Sequence, residues 1–251
     1  MQLRVPQIVA MGGGGFSMEA GNALLDEFAM TLTGVERPRV CFVPTASGDA
    51  DHYVVRFYRA FSPTRCEPSH VSLFRRDRGA GAVEGDLEAH LMQQDLIYVG
   101  GGSVVSLLGA WRAHGLDEIL ARAWRSGVVL CGLSAGSLCW FAEAVTAFHG
   151  RPQRVDGLGL LPWSNCVHYD GEPERRVEYH RFVGDGMRGG FATDDGAALH
   201  FRGVELAGVV SSRRGKRAYL VGVDGHEVTE TPLEATYLGP PALGEPALAA
   251  A

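Results

Sequence analysis

The sequence has no long hydrophobic run and no dense block of basic residues, and each absence excludes a class of protein. The apolar run at residues 8–11 is too short for a signal peptide, and no later run is long enough to cross a bilayer. The net charge is -6 and the Lys and Arg residues are scattered, which argues against nucleic acid as a partner. We therefore expect a cytoplasmic protein whose partner is neither a membrane nor a nucleic acid.

Cysteine is also scarce. The five cysteines are odd in number and scattered, a pattern that favours neither a disulfide framework nor a zinc site, so we expect buried thiols, no metal and no other cofactor. A small molecule or a short peptide remains as the partner. With 251 residues, of which 46% are hydrophobic, the chain can bury one large core. We expect a single α/β domain over residues 1–240 and a flexible tail over residues 241–251.

Apolar runs alternate with amphipathic stretches, which is typical of parallel strands joined by crossover helices. Strands are predicted at residues 7–11, 40–43, 71–74, 96–99 and 128–131, and helices at 20–32, 51–61, 86–92, 104–114 and 116–125. This order predicts a doubly wound, mostly parallel sheet flanked by helices, with the site at the carboxyl ends of the strands. Later segments predict a strand at 158–161, a helix at 174–187, and antiparallel strands that extend or cover the sheet at 197–201, 204–210, 218–223 and 236–238.

The stretch GLSAG, residues 132–136, lies between a predicted strand and a segment that suits a helix. Its glycines let the backbone turn sharply, which exposes the Ser134 hydroxyl, and the Ala135 amide at the start of the helix can stabilise an oxyanion. A plainer interpretation is that the glycines only permit close packing and that Ser134 caps the helix. The strand-turn-helix context favours a nucleophile.

A serine hydroxyl is a weak nucleophile unless a base accepts its proton, and His168 is our candidate base. It lies in a loop after the predicted strand at residues 158–161, where its side chain can reach the same sheet edge as Ser134. Most loop histidines are structural or solvated, so this position alone is a weak signal.

Two glycine runs follow predicted strands. The run at residues 100–102 lacks the Lys-Ser/Thr of a phosphate-binding loop and the spacing of a dinucleotide fingerprint. Because backbone without Cβ atoms can approach a reacting carbonyl closely, we predict that Gly101 or Gly102 supplies a second oxyanion amide. The run at residues 12–15 is interpreted as a turn with access to the cleft.

Three segments together, YVGGGSVVSLLGAWRAHGLDEIL, GLSAGSLCWF and GLGLLPWSNCVHYDGEPERR, resemble the peptidase E (aspartyl dipeptidase) family of serine peptidases, whose relatives include cyanophycinase. The resemblance covers residues 7–181 in order and spacing. It implies a fold related to class I glutamine amidotransferases and metal-free cleavage of short peptides with acidic residues near the scissile bond. It implies Ser134 as the nucleophile that forms an acyl-enzyme, His168 as the general base, and oxyanion amides at Ala135 and at Gly101 or Gly102.

The sequence departs from the family pattern in two places. Ser103 follows the triple glycine where the family commonly has Asn. Alanines stand between the nucleophile and the base where acids are expected, so the orienting carboxylate is not settled by the resemblance. Glu143 is the acid that remains in that segment and is our prediction for the third triad member, with Asp156 and Asp170 as the alternatives.

Specificity depends on charged residues beyond the histidine. In aspartyl dipeptidases an arginine there is expected to pair with the substrate carboxylate, because the guanidinium fork can hold it with two hydrogen bonds. The segment GEPERR offers Arg175 and Arg176, and Asp170 is a candidate either for substrate binding or for bracing the loop that carries His168. Solvated surface charge is the default interpretation of these residues. The preference for acidic residues, the direction of cleavage and a homo-oligomeric state stay open.

Two other classes of protein fit parts of the pattern. One is a catalytically inactive amidotransferase-like binding protein that kept the cleft but lost its acid. The other is an esterase of the α/β-hydrolase type, which shares the serine turn but places its histidine late in the chain. In that case His200 or His226 would be the base.

Overall fold

The structure is a computed structural model and describes residues 4–74 and 86–241. The strands in chain order are β1 (Gln7–Met11), β2 (Arg39–Val43), β3 (Glu67–His70), β4 (Leu96–Val99), β5 (Val129–Leu133), β6 (Phe141–Thr146), β7 (Gln153–Asp156), β8 (Leu161–Val167), β9 (Gly190–Thr193), β10 (Ala197–Arg202), β11 (Glu205–Ser211), β12 (Ala218–Asp224), β13 (Glu227–Leu233) and β14 (Thr236–Tyr237). The helices are α1 (Gly15–Met18), α2 (Leu24–Thr31), α3 (Asp51–Ala60), α4 (Leu87–Met92), α5 (Val104–His114), α6 (Leu116–Arg125), α7 (Ala135–Leu138) and α8 (Pro173–Gly184), with a 3-10 turn at Thr45–Ser47.

The larger sheet has the strand order β14-β11-β10-β1-β5-β4-β2-β3. Strands β1 to β5 pair in parallel, and β10 and β11 add an antiparallel extension beside β1. Helices α2 and α3 pack on one face of this sheet, and helices α4 to α6 pack on the other. The predicted α/β class is confirmed, and α5 and α6 have their predicted bounds.

Strand β1 shows why the parallel strands of the larger sheet have continuous apolar sequences. Successive side chains of a strand point to opposite faces of the sheet. Val9 and Met11 belong to the core against α2 and α3, whereas Ile8 and Ala10 belong to the core against α5 and α6. A strand covered on both faces has no polar face, so its sequence does not alternate.

A second sheet, with the order β13-β12-β9-β8-β6-β7, packs on the larger one. The Phe201 ring of β10 lies 5.8 Å from the Phe141 ring of β6 and 5.5 Å from the Phe191 ring of β9, between centroids. Of the predicted later strands, three extend the larger sheet and the one at 218–223 belongs to the second sheet as β12. Strands β6, β7, β9 and β13 are not predicted from the sequence.

Several predicted elements were misplaced. The strand predicted at 71–74 lies earlier, as β3, and the one predicted at 158–161 lies later, as β8. The helix expected after Ser134 ends at Leu138, and β6 follows because its β-branched and aromatic residues pair with β8. The ends of these strands and of this helix are set by pairing with strands that are distant in the sequence. The local sequence pattern carries no information about that pairing.

The five cysteines are free and buried. No helix within residues 4–74 and 86–241 is long and apolar enough to cross a bilayer. The predicted tail at 241–251 lies, apart from residue 241, outside the described residues.

Asp26 of α2 is a carboxyl group buried under the aromatic side of the core, with 2% of its surface exposed. The Tyr98 hydroxyl donates to Asp26 Oδ1 at 3.0 Å, while Oδ2 has no hydrogen-bond partner among the described residues. Burial raises the pKa of Asp26 to about 7, although the Tyr98 hydrogen bond acts in the opposite direction.

This raised pKa makes the stability of the fold depend on pH. The folded protein holds the Asp26 proton more tightly than the unfolded chain, so stability falls as pH rises from near 3.8 to about 7. We expect the unfolding free energy of the wild type to lose a few kcal/mol over this window relative to Asp26→Asn, measured by urea denaturation. The exposed Asp224→Asn is the control, and parallel profiles for wild type and Asp26→Asn would contradict the assignment.

Candidate active site

Ser134 lies in the turn that follows β5. Its backbone has φ 53° and ψ -117°, a region that few residues other than glycine occupy. The Ser134 N–H donates to the Met11 carbonyl of β1 at 3.3 Å, and the Ser134 carbonyl accepts from the Leu138 N–H at 2.9 Å. These contacts hold the turn at the carboxyl end of β5, where Ser134 borders a cavity.

His168 lies at the end of β8 and also has a positive φ, 55°. Its Nε2 atom lies 2.9 Å from Ser134 Oγ. From the sequence, both side chains are expected at the edge of one sheet. The structure places them at the carboxyl ends of strands from two different sheets, so the packing of one sheet on the other brings them together.

Asp195 completes a chain of hydrogen bonds. It lies in the turn after β9, and its Oδ1 atom is 2.6 Å from His168 Nδ1. A carboxylate only accepts hydrogen bonds, so Nδ1 carries the proton and Nε2 is left to accept the Ser134 hydroxyl. This is the geometry of a nucleophile, a base and an orienting acid.

Asp195 is not among the acids predicted from the sequence, which lie between Ser134 and His168 or two residues after His168. The acid instead lies 27 residues after His168. It follows β9, a four-residue strand that the hydrophobic pattern does not reveal. The available signal was the stretch TDDG, residues 193–196, in which two acids precede a turn-forming glycine.

The structure corrects the prediction of Glu143 as the orienting acid. Its carboxylate accepts from Arg154 Nη2 at 2.6 Å and from the Arg188 N–H at 2.9 Å. Partial burial opposes ionisation, but these contacts outweigh it and lower the pKa of Glu143. Asp156 is the register partner of Glu143 across β6 and β7. Within the described residues, neither carboxylate contacts His168.

The glycine run at residues 12–15 has a role that the sequence analysis does not foresee. Gly13 pairs with Asp195 in an isolated bridge, and the Gly196 N–H donates to the Gly13 carbonyl at 2.8 Å. A Cβ atom on Gly13 would lie 2.1 Å from Asp195 Oδ1, the oxygen that contacts His168. Gly13 therefore provides the space in which the Asp195 carboxylate lies.

Asp170 supports Asp195 from the other side. Its Oδ1 atom accepts from the Asp195 N–H at 2.9 Å, and Lys216 forms an ion pair with its carboxylate. Burial acts against ionisation, yet these hydrogen bonds and the Lys216 charge lower the pKa of Asp170. Asp170 is not among the described residues that line the cavity, so its predicted contact with substrate is corrected to a contact with Asp195.

Two backbone amides border the cavity beside the serine. Ala135 is the first residue of α7, so its N–H has no acceptor inside that helix. Gly102 has φ 138°, and a Cβ atom there would lie 2.2 Å from the carbonyl oxygen of Ala46. Gly101 differs, because its N–H donates to the Tyr53 hydroxyl at 3.0 Å. Gly102 is therefore the better placed of the two predicted glycines.

The cavity has a volume of about 470 Å³, within the range of small-ligand sites. Arg175 lies in its wall with 6% of its surface exposed, and its Nε atom is 2.5 Å from Glu172 Oε2. Arg175 Nη1 has no hydrogen-bond partner among the described residues. The Glu172 side chain keeps 48% of its surface exposed. The predicted Arg175 thus reaches the cavity as one half of an ion pair.

Arg176 lies elsewhere. It forms an ion pair with Glu230, and its guanidinium lies over the rings of Tyr169 and Tyr219 at 5.4 and 5.3 Å from their centroids. It is not among the described residues that line the cavity. These contacts join α8 to β12 and β13, so the predicted substrate contact of Arg176 is corrected to a structural one.

The histidines of the esterase alternative do not approach the serine. His200 lies on β10, and its Nε2 atom is 2.9 Å from Gln7 Oε1. His226 is exposed in the turn between β12 and β13. Among the described residues, His168 is the histidine that contacts Ser134.

The close approach of Gly13 to Asp195 can be tested by substitution. We expect Gly13→Ala to displace the Asp195 carboxylate, because the added methyl group would overlap Oδ1. The short hydrogen bond from His168 Nδ1 should give a strongly downfield proton resonance in the wild type, and Gly13→Ala should lose it. Gly208→Ala is the matched control, because a Cβ atom at Gly208 meets nothing within 4 Å. Retention of the resonance in Gly13→Ala would contradict the assignment.

Comparisons with known proteins identify the family of this chain. Residues 8–209 match the model of peptidase family S51. The chain is 49% identical over 234 residues to the uncharacterized peptidase YgaJ of Bacillus subtilis (strain 168), which covers 93% of this chain and 99% of that protein. It is 31% identical over 158 residues to peptidase E of Streptomyces coelicolor (strain ATCC BAA-471 / A3(2) / M145), with 61% of each chain covered.

A solved structure shares the fold. The crystal structure of a peptidase from an acI-B1 actinobacterium matches with a TM-score of 0.67 at 18% identity, over 93% of this chain and 96% of that one. At this identity the likeness concerns the fold alone. The family match spans the strands and turns that carry Ser134, His168 and Asp195. The chain therefore belongs to peptidase family S51, the peptidase E family, as the sequence resemblance predicted.

Proposed function

We propose that this protein is a serine peptidase that hydrolyses short peptides through an acyl-enzyme on Ser134. The observation that carries the proposal is the continuous hydrogen-bond chain from Ser134 through His168 to Asp195, with distances of 2.9 and 2.6 Å. A serine becomes a nucleophile when a positioned base can take its proton. The Asp195 contact also supports an enzyme over an inactive binding protein, because that alternative depends on a missing acid.

In the proposed reaction, His168 Nε2 accepts the hydroxyl proton as Ser134 Oγ attacks the peptide carbonyl carbon. The imidazolium, oriented and stabilised by Asp195, gives this proton to the leaving amine as the C–N bond breaks. An acyl-enzyme remains on Ser134. Water then attacks the acyl carbon with His168 again as the base. The bond to Ser134 Oγ breaks, His168 returns the proton to this oxygen, and the carboxylic acid product leaves.

Negative charge develops on the carbonyl oxygen during both attacks. We assign its stabilisation to the backbone amides of Gly102 and Ala135, which border the cavity beside Ser134. Amides that are already oriented stabilise such a charge without reorganisation at the moment of reaction. Gly101 supports this pair instead, because its own N–H is bound to Tyr53.

The cavity wall carries a positive charge on Arg175, which attracts an acidic residue of a peptide, and a negative charge on Glu172, which repels it. Arg175 lies in the cavity wall, and an arginine guanidinium commonly donates charge-assisted hydrogen bonds to a carboxylate. Glu172 lies against the same guanidinium and repels a second carboxylate. We therefore propose that the ion pair weakens the preference for acid that Arg175 alone would give.

The proposed triad predicts a clear order of mutational effects. Ser134→Ala should abolish turnover with the fold intact, and His168→Ala should lose activity comparably because the residues act as a unit. Asp195→Asn should lower kcat by about 10³-fold or more, since a neutral amide does not stabilise the imidazolium and its NH₂ group favours the wrong tautomer of the imidazole. The measurement is hydrolysis of a defined mixture of dipeptides and tripeptides with Asp at different positions, followed by mass spectrometry.

Glu143→Gln is the matched control for the acid. It replaces the carboxylate that the sequence alone favours and should keep kcat near the wild-type value. If Glu143→Gln lost activity while Asp195→Asn kept it, the assignment of the acid would be wrong. Cleavage by Ser134→Ala at the normal rate would remove the serine mechanism.

The ion pair in the cavity predicts a change in specificity. In Glu172→Gln we expect the ratio of kcat/KM for an Asp-containing peptide to that for its Asn counterpart to rise about fivefold to tenfold, because one opposing charge is removed. Glu174→Gln, two residues along and outside this cavity, is the control and should leave the ratio unchanged. An unchanged ratio in Glu172→Gln would mean that substrate carboxylates do not bind at Arg175.

A further inference from the structure

A hydrogen bond joins the second sheet to the turn that carries Gly102. Residues 146–148, at the end of β6 and just beyond it, line the cavity. The next residue, His149, places Nε2 at 2.8 Å from the Ser103 hydroxyl oxygen. The proposed function does not use this bond, although Ser103 directly follows the glycine turn at residues 100–102.

Ser103 is where three parts of the structure meet. It is 3% exposed and caps α5, because its Oγ atom accepts from the Ser106 N–H at 3.2 Å. Its own N–H donates to the Ala46 carbonyl of the 3-10 turn at 2.8 Å. A serine hydroxyl has one proton, which is available to His149 Nε2 while Ser106 donates to Oγ.

Gly102 lies between two residues that hydrogen bonds hold in place. It has φ 138° and no side chain of its own to pack, and it lies between Gly101, held by Tyr53, and Ser103, held by His149. Hydrogen-bond strength falls steeply with misalignment, so a small rotation of the Gly102 amide would weaken its contact with an oxyanion. Ser103 is thus tied down through a histidine in the connection between β6 and β7.

We propose that His149 is a positioning residue, which holds the Gly102 amide toward the oxyanion through its hydrogen bond to Ser103. This inference rests on the proposed function, because the Gly102 amide has a role only when Ser134 attacks. His149 does not touch the reacting atoms. Its loss should therefore slow the formation of the covalent bond and leave the preceding encounter unchanged.

Inactivation by diisopropyl fluorophosphate tests this without knowledge of the natural substrate. The Ser134 Oγ–P bond forms as the P–F bond breaks, fluoride leaves, the serine proton passes to His168, and the P=O oxygen occupies the oxyanion position. In His149→Ala we expect kinact to fall about tenfold with KI changed by less than about twofold, because displacing an oxyanion donor costs less than the 10²-fold or more of removing it. His149→Gln can still bond Ser103 and should restore kinact to within about threefold of the wild type.

Two further variants make the test specific to the bond. Arg151→Ala, in the same connection between β6 and β7 but outside the cavity beside Ser134, is the matched control and should keep the wild-type kinact. Ser103→Ala should slow kinact as well, and Ser103→Ala combined with His149→Ala should be no slower than Ser103→Ala alone, as expected for two residues that share one interaction.

The outcomes separate this inference from the proposed function. A wild-type kinact in His149→Ala, or effects of the two substitutions that multiply, would overturn the positioning role while Ser134 is still modified. A wild-type protein in which the reagent does not modify Ser134 would overturn the proposed function and this inference together. Because His149 is exposed, the thermal unfolding midpoint of His149→Ala should stay near that of the wild type, which excludes loss of the fold as the cause.

Discussion

The packing of the smaller sheet on the larger one is the constraint on which the candidate site depends. Ser134 follows a strand of the larger sheet, whereas His168 and Asp195 follow strands of the smaller one. The Ser134–His168 hydrogen bond therefore joins the two sheets, which pack on each other through aromatic contacts around Phe201. The hydrophobic effect is not directional. Close packing of the buried side chains nevertheless fixes the positions of the two sheets, and so the short distances between the polar groups of the site.

Backbone strain is concentrated at the same place. Ser134 and His168 are two of the three non-glycine residues with positive φ in residues 4–74 and 86–241, and their side chains contact each other. Such conformations cost on the order of 1–3 kcal/mol each and persist where the surroundings fix them. The Met11 carbonyl holds Ser134, and the Glu172 N–H donates to the His168 carbonyl at 3.1 Å. The strained turns aim both side chains at the cavity.

The position of the orienting acid, Asp195, is set by contacts with neighbouring residues. Gly13 leaves room for the Asp195 carboxylate, and Asp170 accepts from the Asp195 amide. The preceding residue, Asp194, is 4% exposed, and burial together with the nearby Asp170 charge raises its pKa to about 6. Lys216 opposes this accumulation of acid through its ion pair with Asp170. Three acidic side chains and the charge of Lys216 therefore lie around the turn after β9, close to the hydrogen bond between Asp195 and His168.

The sequence by itself determined the parts of the site that depend on a few neighbouring residues. These are the glycine-flanked Ser134 after a buried strand, the loop histidine His168, and helices α5 and α6 at their observed bounds. Only the tertiary structure decided that Asp195, and not Glu143, faces His168. That contact joins residues 27 positions apart through the pairing of β8 with β9, and local sequence patterns do not contain strand pairing at such a distance.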